Sequence, residues 1–126
     1  VFLNELHQIK ISSHTKTHKI LSCIDEKEIK IELLESKSEL EELLKHELSS
    51  LCFPEGKFNK KAIELAKKIG YKRLYSSLPG FYFNDFLPNV KRRSLVQFSG
   101  KEEFKAILKG GDHILAYWYK FIHFKK

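Results

Sequence analysis

The sequence predicts an α/β fold in which parallel strands are flanked by helices. Three observations carry that prediction. Short β-type runs at residues 9–12, 51–53 and 73–76 alternate with longer segments whose apolar residues recur at helical spacing. Helix-start and helix-stop residues fall at the junctions between these segments. No internal repeat or low-complexity stretch breaks the alternation, and strand–helix alternation is the pattern of parallel β/α units.

Residues 2–8 read as the end of a helix. Ile9 and Ile11 then alternate with Lys10 and Ser12 in a strand period, and from Ser13 the polar residues turn the chain away. Asp25 followed three residues later by Glu28 is a capping-box start with Asp as the cap. Ile29, Leu33, Leu40 and Leu44 mark the apolar stripe of a long helix, with Glu and Lys on its opposite face. Residues 51–53 form a short buried strand that stops at Pro54. Asn59 caps a second helix bearing Ala62, Ile63, Ala66 and Ile69, and Gly70 ends it. Residues 73–76 make the next strand.

Beyond Ser77 the character changes. Leu78-Pro79-Gly80 is turn chemistry, Phe81-Tyr82-Phe83 is an aromatic run, and Lys91-Arg92-Arg93 is a basic triplet before the apolar Leu95-Val96. Ser99 and Glu102 form a capping box for a helix through Leu108, which Gly110-Gly111 terminates. A last helix carries Ile114, Leu115, Trp118, Phe121 and Ile122. Residues 1–126 are read as one domain, with 78–126 its helical extension.

Composition sets outer bounds. The 126 residues suffice for one core, and 42% hydrophobic with 31% charged residues describes an ordinary soluble domain. The formal net charge is +7, but the lysines stand beside glutamates along helices, as on solvated faces, so no nucleic-acid partner is expected. Cys23 and Cys52 lack C-x-x-C spacing and are expected as buried or half-buried free thiols. No apolar run approaches the roughly 18 residues of a membrane span, and no signal peptide is visible; the compartment stays open. Tyr117, Trp118 and Tyr119 beside Lys120, Lys125 and Lys126 permit membrane-surface contact, although packing against the fold or a partner subunit is the plainer expectation.

The most informative stretch is Ser13-His14-Thr15-Lys16-Thr17-His18. If the turn continues helically, His14 and His18 share one face and both imidazoles can approach a common point. Neutral imidazole is a good zinc ligand, but a tight site needs a third protein ligand. Two solvated histidines in a Lys/Thr-rich turn is the alternative reading.

Taken together with the segments C-terminal to this stretch, the chain resembles the polysaccharide deacetylase family, the NodB-homology or carbohydrate esterase family four domain. Ser13-His14-Thr15-Lys16-Thr17-His18 is similar to the family's Ser-His-Thr-x-x-His metal motif. The helix through Ile29, Leu33 and Leu40 resembles the segment after that motif. Leu51-Cys52-Phe53-Pro54-Glu55-Gly56-Lys57-Phe58-Asn59 resembles the Phe-x-x-Pro-Tyr-Gly-x-Tyr-Asn loop, with Leu65-Ala66 and Gly70-Tyr71 after it. The likeness covers residues 4–77. Glu55 replaces the loop's tyrosine, the arginine often found before the loop has no counterpart in Ser49-Ser50-Leu51, and no Asp-Asp pair occurs in the chain.

The resemblance implies a partial (β/α) barrel of the deacetylase type. Barrels of that kind need roughly 200 residues or more, so the chain is expected to represent part of one, short by about two β/α units. It also implies metal-dependent removal of N-acetyl groups from a carbohydrate, with a divalent ion, zinc by expectation, held by His14, His18 and an aspartate of the earlier motif. Phe53, Pro54, Glu55 and Gly56 would shape the sugar groove, and the Glu55 N–H would serve the oxyanion. His113 is the nearest candidate for the late histidine that acts as general acid, and His123 a poorer one. Two other readings stay open at this point: a non-catalytic carbohydrate-binding relative, and a basic interaction module acting through Lys91-Arg92-Arg93 and the aromatic C-terminal segment. A partial barrel exposes strand edges, which suggests a homo-oligomer.

Overall fold

Among the described residues, strand pairing is short and entirely parallel. A computed structural model describes residues 9–79, 89–94, 96 and 100–111. Among them, β1 (Ser50–Cys52), β2 (Arg73–Tyr75) and β3 (Val90–Lys91) form one sheet in that order. The register sets Leu51 opposite Leu74 and Leu74 opposite Val90. All three side chains are buried, so one row of apolar residues runs across the sheet into the core.

Helices α1 (Glu26–Leu44) and α2 (Lys60–Ile69) flank the sheet and lie against each other. The α1 start is half of a capping box. Asp25 Oδ1 accepts from Glu28 N at 2.8 Å, while the Glu28 carboxylate takes Lys19 Nζ at 3.1 Å. Its end is a left-handed Lys45, φ 57, whose N–H returns to Glu41 O. The turn after it is held by a polar clamp: Glu41 accepts from Leu48 N at 2.7 Å and from Lys37 Nζ, which also donates to Leu48 O at 2.7 Å. Asn59 Oδ1 caps α2 through Ala62 N at 2.8 Å, and Gly70, φ 104, closes it. Ala62 and Ala66, fully buried one turn apart, let α2 approach the Leu33 side of α1. Tyr71 follows Gly70 into the core and donates its hydroxyl to Leu33 O at 3.1 Å; burial pushes that phenol up.

Several expectations change. No strand forms at residues 9–12; the pairing begins at Ser13 as a single parallel bridge to Leu51, because β1 itself starts only at Ser50. Residues 14–18 are not helical, since Thr15 and His18 sit at φ 68 and 62. Helix α3 (Lys101–Leu108) has Gly100 at its N-cap position, with no side-chain bond there. Strand β3 takes up Val90 and Lys91, the latter the first residue of the basic triplet. Arg92, directly after it, is only 3% exposed, so that triplet is not a uniformly solvated patch. Cys23 and Cys52 are free thiols as expected, but Cys23 is exposed because it ends a surface 3-10 turn (Leu21–Cys23). The helix ending at Gln8, the Phe81–Phe83 run, Ser99 itself and the last helix lie outside the described residues.

Two leucines of α1 give opposite expectations. Leu33 is 0% exposed and Leu43 is 59% exposed. Leu33→Ala should cost about 2–5 kcal/mol, whereas Leu43→Ala should stay within about 0.5 kcal/mol. Urea unfolding of both variants checks this, and equal costs would contradict the assigned burial.

Candidate metal-binding site

Ser13 places the site. Its N–H donates to Ser50 O and its carbonyl accepts from Cys52 N, each at 2.9 Å, which docks the chain alongside β1. Its hydroxyl is fully buried and shares a 2.7 Å hydrogen bond with Ser36 of α1. His14 therefore emerges at the C-terminal end of the sheet, next to Cys52. Its Nδ1 lies 2.8 Å from Cys52 O. A carbonyl can only accept, so Nδ1 carries the proton of this bond and Nε2 is the nitrogen left for a ligand. This is the arrangement by which a carbonyl orients a metal-ligating imidazole.

The next four residues bring His18 back to His14. Thr15 and His18 adopt left-handed backbone, at φ 68 and 62, which costs roughly 1–2 kcal/mol per non-glycine residue. For the β-branched Thr15 this is a clear outlier. The two rings end 4.8 Å apart between centroids with planes at 69°. Two imidazoles on one tetrahedral zinc, with Zn–N of about 2.0–2.1 Å, have centroids about 5 Å apart. The ring separation thus matches that of two ligands of such an ion, reached through a strained loop rather than a helical face. Among the described residues no group of three His, Cys, Asp or Glu side chains gathers around a common point.

Glu32 of α1 holds the loop between the histidines. It is 5% exposed, and it accepts from Lys16 N at 2.9 Å, from Thr17 N at 2.8 Å and from the Thr17 hydroxyl. Burial pushes this carboxyl up, but the three hydrogen bonds and the charge of Lys19 outweigh it and hold it below its ordinary value. Charge alone assigns Glu32 to the solvated face of the helix. Its position points the other way: three residues after Ile29 and four before Ser36, it falls on the same face as the buried Leu33.

The loop after β1 forms the other wall. Phe53 N donates to Tyr75 O at 2.9 Å, and a 3-10 turn (Pro54–Gly56) comes next. Glu55 and Gly56 are both left-handed, at φ 52 and 66. A Cβ on Gly56 would lie 2.0 Å from Ser77 Oγ and 2.6 Å from Ser77 N, so only glycine fits. Of the four residues expected to shape a sugar groove, Phe53, Pro54 and Gly56 are buried and only Glu55 is exposed. Phe53 stacks on Phe58 at 4.9 Å within the core. The Glu55 carboxylate bonds Lys57 Nζ at 2.7 Å, and this bond and charge, with a smaller contribution from His18, hold it low.

Arg93 reaches across the same end of the sheet. Its Nε donates to Ser76 O at 3.0 Å, its guanidinium lies 5.9 Å from the Tyr75 ring centroid, and Nη2 contacts Cys52 Sγ. Burial pushes the Cys52 thiol up despite that neighbouring positive charge. His113 and His123 lie outside the described residues.

Comparison with known proteins adds to this geometry. The family model for polysaccharide deacetylases matches residues 4–74, a span that includes both histidines and the Pro54–Gly56 turn. No curated protein sequence gives a significant match. Among solved structures, the Streptococcus pyogenes deacetylase PplD in complex with acetate superposes with a TM-score of 0.73 at 19% identity, over 82% of this chain and 47% of that one. A polysaccharide deacetylase from Bacillus cereus gives 0.69 at 23% identity, over 79% of this chain and 32% of that one. A de-N-acetylase from Aggregatibacter actinomycetemcomitans gives 0.67 at 17% identity, over 82% of this chain and 50% of that one. The chain thus shares their fold and spans half or less of each structure's length.

The glycine and the buried glutamate each carry an expected outcome. Gly56→Ala should destabilise the chain by about 1–3 kcal/mol through the forced contact and the left-handed φ, read as a lower urea midpoint. Glu32 should supply pH-dependent stability. Its folded pKa is depressed, so its contribution is full above the ordinary carboxyl range near about 4.3 and is lost as pH falls through the lower folded value. Glu32→Gln should cost about 1–3 kcal/mol at pH 7 and flatten the acid limb. A Gln variant with the native acid limb would contradict the assignment.

Proposed function

The chain belongs to the polysaccharide deacetylase family, and from that premise we propose that it carries two ligands of a metal site used to hydrolyse N-acetyl groups from a glycan. The observation that carries the proposal is the His14–His18 pair, with the His14 tautomer set by Cys52 O so that Nε2 is left for a ligand. A bound divalent ion, zinc by ligand type, would polarise the amide carbonyl and acidify a water. The remaining ligand comes from outside the described residues.

The chain's own residues supply the frame. His14 and His18 offer imidazole nitrogens from a loop that brings the two rings together. The Pro54–Gly56 turn borders the pair, and the Glu55 N–H at its left-handed apex is the donor we assign to the developing oxyanion. The Glu55 carboxylate would oppose such an anion, but its ion pair with Lys57 offsets that charge. The substrate class, an N-acetylated carbohydrate, is the one the family acts on.

Zinc titration against a chromophoric chelator tests the ligands. His14→Ala and His18→Ala should each weaken binding by about tenfold or more, as expected for loss of one ligand. Acetate release from an N-acetylated oligosaccharide should fall in parallel. Equal zinc affinity in native and both variant proteins would end the metal reading.

A further inference from the structure

Glu32 is the one carboxylate among the described residues that is both buried and bonded only to groups of the histidine loop. It is 5% exposed, and it accepts from the Lys16 and Thr17 amides at 2.9 and 2.8 Å and from the Thr17 hydroxyl. These donors belong to two of the three residues between His14 and His18. The loop they form contains two left-handed non-glycine residues, Thr15 and His18, whose backbone would relax toward ordinary regions if nothing held it. On its first side the loop is fixed by Ser13 and by the bond from His14 to Cys52 O. On its second side the bonds that reach Thr17, next to His18, come from Glu32.

We propose that Glu32 is a positioning residue for the His14–His18 pair: it fixes the strained loop so that the two imidazoles converge before any ion binds. The inference rests on the metal reading for its purpose, but the geometry it explains exists without metal. One carboxylate meeting two amides and a hydroxyl resembles a capping group placed inside a loop, and charge-assisted bonds of that kind are about twice as strong as neutral ones. Other carboxylates nearby act differently. Glu39 pairs with the Lys16 ammonium at an exposed position, 60% exposed itself, and touches no loop amide.

The experiment compares native chain with Glu32→Ala, Glu32→Gln and Glu39→Gln, without metal and with zinc. Imidazole nitrogen NMR reports the His14 tautomer and the contact between the two rings. Amide hydrogen exchange reports Lys16, Thr17 and helix α1. Glu32→Ala should lose the ring contact and speed exchange at Lys16 and Thr17 by about tenfold or more while α1 keeps its protection, and zinc affinity should drop by about 10–100-fold, the usual effect of a supporting residue. Glu32→Gln, which keeps one acceptor oxygen, should recover part of both effects. Glu39→Gln should match the native chain.

An unchanged ring contact in Glu32→Ala overturns the proposal. So does loss of α1 protection together with the loop, which would assign Glu32 to folding of the helix. Native protein that binds no zinc defeats the metal reading alone, and the ring contact and amide exchange still decide the role of Glu32.

Discussion

The pairing of Ser13 with β1 is the constraint on which the site depends. It consists of two backbone bonds at 2.9 Å, to Ser50 O and from Cys52 N. A longer strand would offer a further backbone N–H to the Cys52 carbonyl. Here the chain turns away, and the imidazole of His14 donates to that carbonyl instead. Ending the strand and choosing the His14 tautomer are therefore one event. The histidine-bearing end of the sheet is where the ladder runs out, the position at which parallel sheets place their working residues.

Beneath this edge lies a polar layer that a purely apolar core would not tolerate without full bonding. Ser13 bonds Ser36, Tyr71 bonds Leu33 O, and Glu32 gathers the loop amides. All three features use helix α1, which also supplies Ile29 and Leu33 to the core. One helix face thus meets two demands, apolar contact with α2 and hydrogen bonding with the loop. The charge on Glu32 can stay buried because its acceptor oxygens are met by three donors, whereas an unpaired carboxylate there would favour its neutral form.

Local chemistry made much of the fold legible in sequence. Asp25, Asn59 and Gly70 act where their residue types place them, because a cap needs only a few neighbouring residues to express itself. The alternation around β1, α2 and β2 was legible for the same reason. Strand β3 was not, because Val90 and Lys91, the latter already in the basic triplet, carry no period, and only the parallel partner Leu74–Tyr75 gives them their conformation. The histidines were expected together, but on a helical face; the left-handed Thr15 and His18 that bring the rings together have no signature in a Lys/Thr-rich stretch. Glu32 escaped because its charge was read as solvent-seeking, although its helical position sets it beside Leu33.

The turn after β1 carries the same logic to the opposite wall. Phe53 and Pro54 are drawn into the core, and Gly56 is pinned beneath Ser77, so the turn can present only its apex outward. That apex is Glu55, with Lys57 closing on its carboxylate. This wall offers hydrogen-bonding groups and charge rather than an aromatic face, since the ring of Phe53 is spent on Phe58. Arg93, anchored on Ser76 O, adds a second charged group at the same end of the sheet. A mouth of this kind suits a polar, heavily hydroxylated ligand, which offers many donors and acceptors and gains little from an apolar surface.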